Sequence, residues 1–77
     1  MNKTEERFIS LIRSNKLRSF LAAHKLLDTK QISNTLIIAA GKELVIRSQY
    51  LYDKGQETEA NNALQFAYQL IGFLAMN

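Results

Sequence analysis

Residues 50–60 are YLYDKGQETEA, and Gly55 in their middle is the clearest helix stop signal in the chain. Glycine directly after a helix adopts the left-handed conformation that satisfies the last free carbonyl groups. The acids that follow, Glu57 and Glu59, suit the first turn of a new helix because the helix dipole favours negative charge there. The stretch therefore predicts two antiparallel helices joined by a turn at 54–56.

The helix after this turn is predicted to run from Glu57 to about Ala75 because its apolar residues recur at helical spacing. That apolar face contains Ala60, Ala63, Leu64, Ala67, Leu70, Ile71 and Leu74. The helix before the turn is predicted to begin near residue 30 and end near Asp53. The segment 28–31, Asp-Thr-Lys-Gln, has the form of a capping box, which starts a helix.

A β-hairpin over 35–46 is the competing interpretation of the first of these helices. The runs 35–39 and 43–46 contain many β-branched residues and flank Gly41, which suits a hairpin turn. Neither run alternates cleanly between apolar and polar residues, and an isolated two-stranded hairpin is only marginally stable. We therefore expect a helix, in which Gly41 costs about 1 kcal/mol relative to alanine.

The N-terminal segment 4–27 predicts one or two further helices, with Thr4 as the expected N-cap. Two apolar groups, one within 8–12 and one within 17–27, point about 120° apart if the helix is continuous. A break at 14–16 removes this conflict, whereas one continuous helix buried against different neighbours is the alternative. The predicted fold is thus a single all-α domain over 1–77, a small bundle with the N-terminal helix or helix pair packed on the C-terminal hairpin.

The predicted hairpin resembles a single tetratricopeptide hairpin. The residues that match the usual spacing of that repeat are Leu44, Ser48, Leu51, Gly55, Ala60, Leu64 and Ala67. The resemblance covers about a third of the chain and implies an antiparallel helix pair.

The composition argues against an enzyme. The 77 residues include no cysteine and one histidine, which excludes a disulfide framework, a thiolate metal site and an imidazole cluster. A chain of this length buries only about 60–65% of its unfolded surface, so a deep substrate cavity would compete with the core. No phosphate-binding glycine loop or dinucleotide motif is present. We expect a non-enzymatic protein with no cofactor.

The N-terminus lacks the pattern of a secretory signal, since Glu5 and Glu6 stand where a signal peptide would be basic and then apolar. The most apolar stretch, 65–76, is about a dozen residues long, whereas a membrane span needs roughly 20. The sequence therefore predicts a cytoplasmic protein without membrane association.

The end of the last helix is apolar almost all round, which predicts a binding surface for a protein partner. A helix of this kind needs cover on more than one side, and a small domain has little material to supply it, although the N-terminal helices are the alternative cover. The candidate interface residues are Phe66, Tyr68, Phe73 and Met76. The predicted function is a regulator, inhibitor or co-chaperone from a bacterium or phage that binds a partner protein, as a homodimer.

The charge distribution supports a second function. Residues 1–30 contain seven basic and three acidic residues, whereas 31–77 contain three basic and four acidic ones, so the net charge of +3 comes entirely from the first segment. The candidate basic patch contains Arg7, Arg13, Lys16, Arg18 and Lys25. Cations placed against a phosphate backbone release counterions, so the alternative function is a nucleic-acid-binding regulator. A solvated helix face explains the same residues without a ligand.

Overall fold

The computed structural model describes residues 1–76 and confirms the predicted all-α bundle. Its helices are α1 (Lys3–Ser14), α2 (Leu17–Leu27), α3 (Asn34–Asp53) and α4 (Glu57–Met76). No strand occurs within residues 1–76, so the β-hairpin alternative for 35–46 is wrong.

The four helices form two packed pairs. The α3–α4 hairpin is one pair, α1 and α2 are the other, and α1 also packs against α3. The rings of Phe20 in α2 and Phe66 in α4 stack with centroids 5.0 Å apart, which joins the second and fourth helices. The residues that are buried with them in one core are Phe8, Ile12, Ala23, Leu27, Ile32, Ile37, Ala40, Leu44, Ala63, Ala67 and Leu70.

The turn between α3 and α4 has the geometry expected of a glycine stop. Gly55 has a φ of +80°, in the left-handed region that L side chains rarely adopt. Its N–H donates to the carbonyl oxygen of Tyr52 at 3.0 Å, and the N–H of Gln56 donates to that of Leu51 at 2.9 Å. These bonds satisfy carbonyl groups at the end of α3, so the chain reverses directly after Asp53.

The predicted break near residue 15 separates α1 from α2. Asn15 has a φ of +53°, and asparagine is one of the few non-glycine residues that tolerate this conformation. Its N–H donates to the carbonyl oxygen of Ile12 at 3.2 Å. The alternative of one continuous N-terminal helix is therefore wrong.

Both predicted helix starts in the first half of the chain are wrong by a few residues. Asn2, not Thr4, caps α1, because its side chain accepts from the N–H of Glu5 at 2.7 Å. The predicted capping box at 28–31 does not start α3, which is capped instead by the Ser33 hydroxyl accepting from the N–H of Leu36 at 3.2 Å.

The physical reason for the later start of α3 lies in contacts between its preceding loop and the start of α1. The side-chain amide of Asn2 donates to the main-chain carbonyl of Gln31 at 3.0 Å, and the Thr4 hydroxyl donates to the Gln31 side chain at 2.8 Å. Lys30 has a φ of +59°, which turns the chain before the helix can begin. Because these contacts join residues that are distant in the sequence, no local sequence pattern predicts them.

Glu5 completes this junction. Its carboxylate accepts from the N–H of Ser33 at 3.0 Å and from the N–H of Asn2 at 3.2 Å. These two main-chain bonds hold the pKa of the Glu5 carboxyl group below its ordinary value, and the bond from Ser33 has the larger effect. One carboxylate thus caps α1 and fixes the residue before α3.

The buried face of α4 is rotated from the predicted one. The buried residues are Ala60, Ala63, Phe66, Ala67 and Leu70. Leu64 is only partly buried and Ile71 is 55% exposed. The reason is the position of α2, which covers the side of α4 that carries Phe66 and leaves the side that carries Ile71 open.

Candidate functional site

An apolar groove lies between α3 and α4. Its volume is about 500 Å³, and α3 and α4 supply all of the described residues that line it. The lining residues are Ile37, Ile38, Gly41, Lys42, Val45, Ile46, Leu70, Ile71 and Leu74. We refer to this feature as the α3–α4 groove; α1 and α2 leave it uncovered.

Four large apolar side chains of the α3–α4 groove are exposed to solvent. Ile46 is 72% exposed, Ile71 55%, Ile38 47% and Val45 43%. Single exposed apolar residues are common on protein surfaces, but here four of them line one concave feature. Contiguous exposed apolar patches of this kind usually mark binding sites.

The groove arises from apolar doublets in α3. Ile37 and Leu44 are buried, whereas Ile38 and Val45, each one residue later, are exposed in the groove. Successive helical residues differ by about 100°, so two doublets seven residues apart produce two parallel apolar lines on one helix. One line packs in the core and the other forms the wall of the groove.

Sequence reasoning missed these residues, although the doublets were a visible signal. The β-branched runs around Gly41 are also typical of a hairpin, which obscures the second apolar line of the expected helix. A helix with two apolar lines is fully covered only when neighbours pack on both, and within residues 1–76 the line of Ile38 and Val45 stays exposed.

Lys42 is the one charged residue among those that line the groove. It is exposed, and within the described chain its ammonium group has neither an ion pair nor a hydrogen bond. Gly41 lies beside it, and a Cβ added there would meet no atom within 4 Å. The groove is therefore open at this point, with a single positive charge beside apolar walls.

The four predicted interface residues do not form one surface. Phe66 is only 2% exposed because it stacks on Phe20, so the prediction that places it on an exposed surface is wrong. Phe73 is partly buried and packs against the core. Tyr68 and Met76 are exposed at 62% and 88%.

Of these residues, Tyr68 adjoins the groove. It precedes Ile71 by three residues, which makes the two side chains neighbours on the helix surface. Whether a partner contacts Tyr68, Phe73 or Met76 stays a prediction.

The five residues of the predicted basic patch are all exposed. Arg18 and Lys25 are seven residues apart and share the side of α2 that faces away from the buried Phe20. Arg7 and Arg13 point about 120° apart around α1, and Lys16 lies in the break between the helices. The structure therefore brings together a pair of cations on α2 and does not form one continuous strip from all five.

His24 is exposed on α2, next to Lys25, and its ring lies 6.5 Å from that of Phe66. Within residues 1–76 no three histidine or acidic side chains are close enough together to hold a metal ion.

No protein-family model, curated protein or solved structure matches this chain. Among the described helices, none combines the length and the apolar character needed to cross a lipid bilayer.

Proposed function

We propose that the protein is a non-catalytic interaction module that binds a partner protein through the α3–α4 groove. The observation that carries this proposal is the open groove with its exposed apolar residues Ile38, Val45, Ile46 and Ile71. Burying such side chains against a partner is favourable at about 25 cal/mol per Å² of apolar surface. In the cytoplasm the module would act as a regulator, inhibitor or co-chaperone by occupying its partner's surface.

The exposed side chains that line the groove are not part of the core, which supports a role in binding. The inward-facing residues Ile37 and Leu44 already pack α3 against the rest of the bundle. Their exposed neighbours Ile38 and Val45 are therefore not needed for the monomeric fold, and exposed apolar residues raise the risk of aggregation. A partner that covers them accounts for their presence.

A nucleic-acid-binding regulator is the second candidate. The observation that favours it is the pair Arg18 and Lys25 on the exposed side of α2, a helix that contains no acidic residue. If phosphate contacts mediate binding, the affinity for duplex DNA falls as the salt concentration rises. A plot of the logarithm of affinity against the logarithm of salt concentration then has a slope of about −0.9 per contact. Binding in an apolar groove would depend far less on salt.

Site-specific photo-crosslinking distinguishes the two candidates. A photoreactive amino acid is introduced at position 46 in the groove or at position 18 on α2, in the cells that produce the protein. We expect position 46 to give a discrete protein adduct that disappears when Ile71→Asp is added, and position 18 to give none. Nucleic-acid adducts at position 18 with no protein adduct at position 46 would favour the second candidate instead.

A further inference from the structure

The dimensions of the α3–α4 groove fit a helix. Its lining on α3 extends from Ile37 to Ile46. At a rise of about 1.5 Å per residue this is about 14 Å, whereas helix anchors at i and i+7 are about 10.5 Å apart. Two neighbouring helix axes lie about 8–10 Å apart, so the furrow between them accepts a third helix by ridges-into-grooves packing.

The charge at the groove indicates the chemistry of that helix. Lys42 has no acidic partner within the described residues, and no acidic side chain lines the groove. A bound helix that covers the apolar walls would bring its own flanking residue close to this ammonium group. A carboxylate at that position is attracted, and a second cation is repelled.

A second copy of the chain is a poorer occupant for the same reason. Lys42 lies near the middle of the lining segment of α3, 37–46. In a two-fold symmetric dimer the same patch contacts itself, so an axis through the centre of the groove brings the two Lys42 side chains together. Like charges placed opposite each other weaken such an interface.

We infer that the α3–α4 groove binds an acidic amphipathic helix of another protein, with apolar side chains at i, i+3 or i+4 and i+7 in the groove and a carboxylate against Lys42. This inference rests on the proposed function and specifies the partner's chemistry. Gly41 contributes by leaving room at the groove beside this lysine.

The test is a selection of helical peptides on the full-length protein. The library holds three apolar anchors constant and randomises the flanking positions. The most enriched peptide is then labelled with fluorescein, and its affinity is measured by anisotropy. We expect enrichment of Asp and Glu beside the anchors, and a loss of affinity of about three- to fivefold for Lys42→Gln, with a larger loss for Lys42→Glu.

Lys25→Gln is the matched control, because it removes an exposed lysine from α2, which does not line the groove. Its affinity is expected to stay within about twofold of the original protein, as for surface charges remote from a site. Circular dichroism spectra of all variants verify that the helices are retained.

The remaining outcomes would overturn the inference in distinguishable ways. Enriched peptides that are neutral or basic and lose binding with Ile46→Asp would refute the acidic partner and leave the interaction module standing. Failure to enrich any groove-dependent peptide would also refute it. In that case a dimer in sedimentation equilibrium that Ile46→Asp dissociates would make a second copy the occupant, whereas a monomer with no adduct at position 46 would refute the proposed function too.

Discussion

The guanidinium group of Arg47 in α3 donates a hydrogen bond of 2.7 Å to the main-chain carbonyl oxygen of Ile12, in the last turn of α1. The same nitrogen donates to the Asn15 side chain at 3.1 Å, and the other terminal nitrogen lies 3.4 Å from a carboxylate oxygen of Glu43. Carbonyl groups at the end of a helix have no partner within it, and that of Ile12 accepts both from the Asn15 N–H and from this arginine of a distant helix. This contact links the end of α1 directly to α3.

Arg47→Ala is therefore expected to destabilise the fold. Hydrogen bonds from a charged donor contribute about 1.5–3 kcal/mol each, and the Arg47 side chain is 19% exposed, so it is largely shielded from water. We expect a loss of about 1.5–3 kcal/mol in the free energy of unfolding, measured by urea denaturation. Glu43→Gln is the control and should cost no more than about 0.5 kcal/mol, since it removes only an i,i+4 ion pair. Equal losses for both variants would assign the effect to the ion pair.

Glu5→Gln is expected to change the pH dependence of stability. Because the pKa of Glu5 is lowered in the folded chain by the Ser33 and Asn2 N–H groups, its ionised form stabilises the fold above the ordinary carboxyl pKa. That contribution is lost as the pH falls through the lowered value. The variant should be less stable at neutral pH and should lose less stability on acidification, as followed by thermal unfolding between about pH 7 and pH 2.

Glu6→Gln is the matched control, because it removes a negative charge from the same helix turn without removing a bond to Ser33. Parallel pH profiles for the Glu5 and Glu6 variants would show that the charge near the N-terminus of α1, and not the bonds to the loop, governs the acid response.

Phe66→Ala and Tyr68→Ala compare two aromatic residues on opposite sides of the same helix. Phe66 is buried in the core against Phe20, and its truncation should cost about 3–5 kcal/mol. Tyr68 is 62% exposed, so its truncation should change the stability by no more than about 0.5 kcal/mol. The denaturation midpoints of the two variants test this. A comparable loss of stability for Tyr68→Ala would show that the side of α4 that carries Tyr68 also packs against the core.

Gly41→Ala is expected to stabilise the protein. Glycine inside a helix costs about 0.5–1 kcal/mol relative to alanine, and the added Cβ meets no atom within 4 Å. The same substitution at Gly72, which has equally open surroundings, should also stabilise the protein but lies outside the groove. Only Gly41→Ala should reduce the affinity for a groove-binding peptide, and a loss of stability on urea denaturation would show that position 41 is more tightly packed.

The helical hairpin and the all-α class follow directly from the sequence. Gly55 with its flanking acids predicts the turn between α3 and α4, and the change of apolar direction predicts the break near Asn15. These signals succeed because each depends on a few consecutive residues, whose preferences for capping, left-handed backbone or helical spacing act locally. The choice of helix over strand around Gly41 also depended on such local arguments.

The tertiary structure decided which faces are covered and where α3 begins. Phe66 is buried and Ile71 exposed because α2 packs on one side of α4, and nothing within α4 itself distinguishes the two sides. Ser33 starts α3 because Glu5, 28 residues earlier, accepts its N–H. The groove follows likewise from the position of the N-terminal pair, since the doublets of α3 supply two apolar lines and long-range packing determines which one stays open.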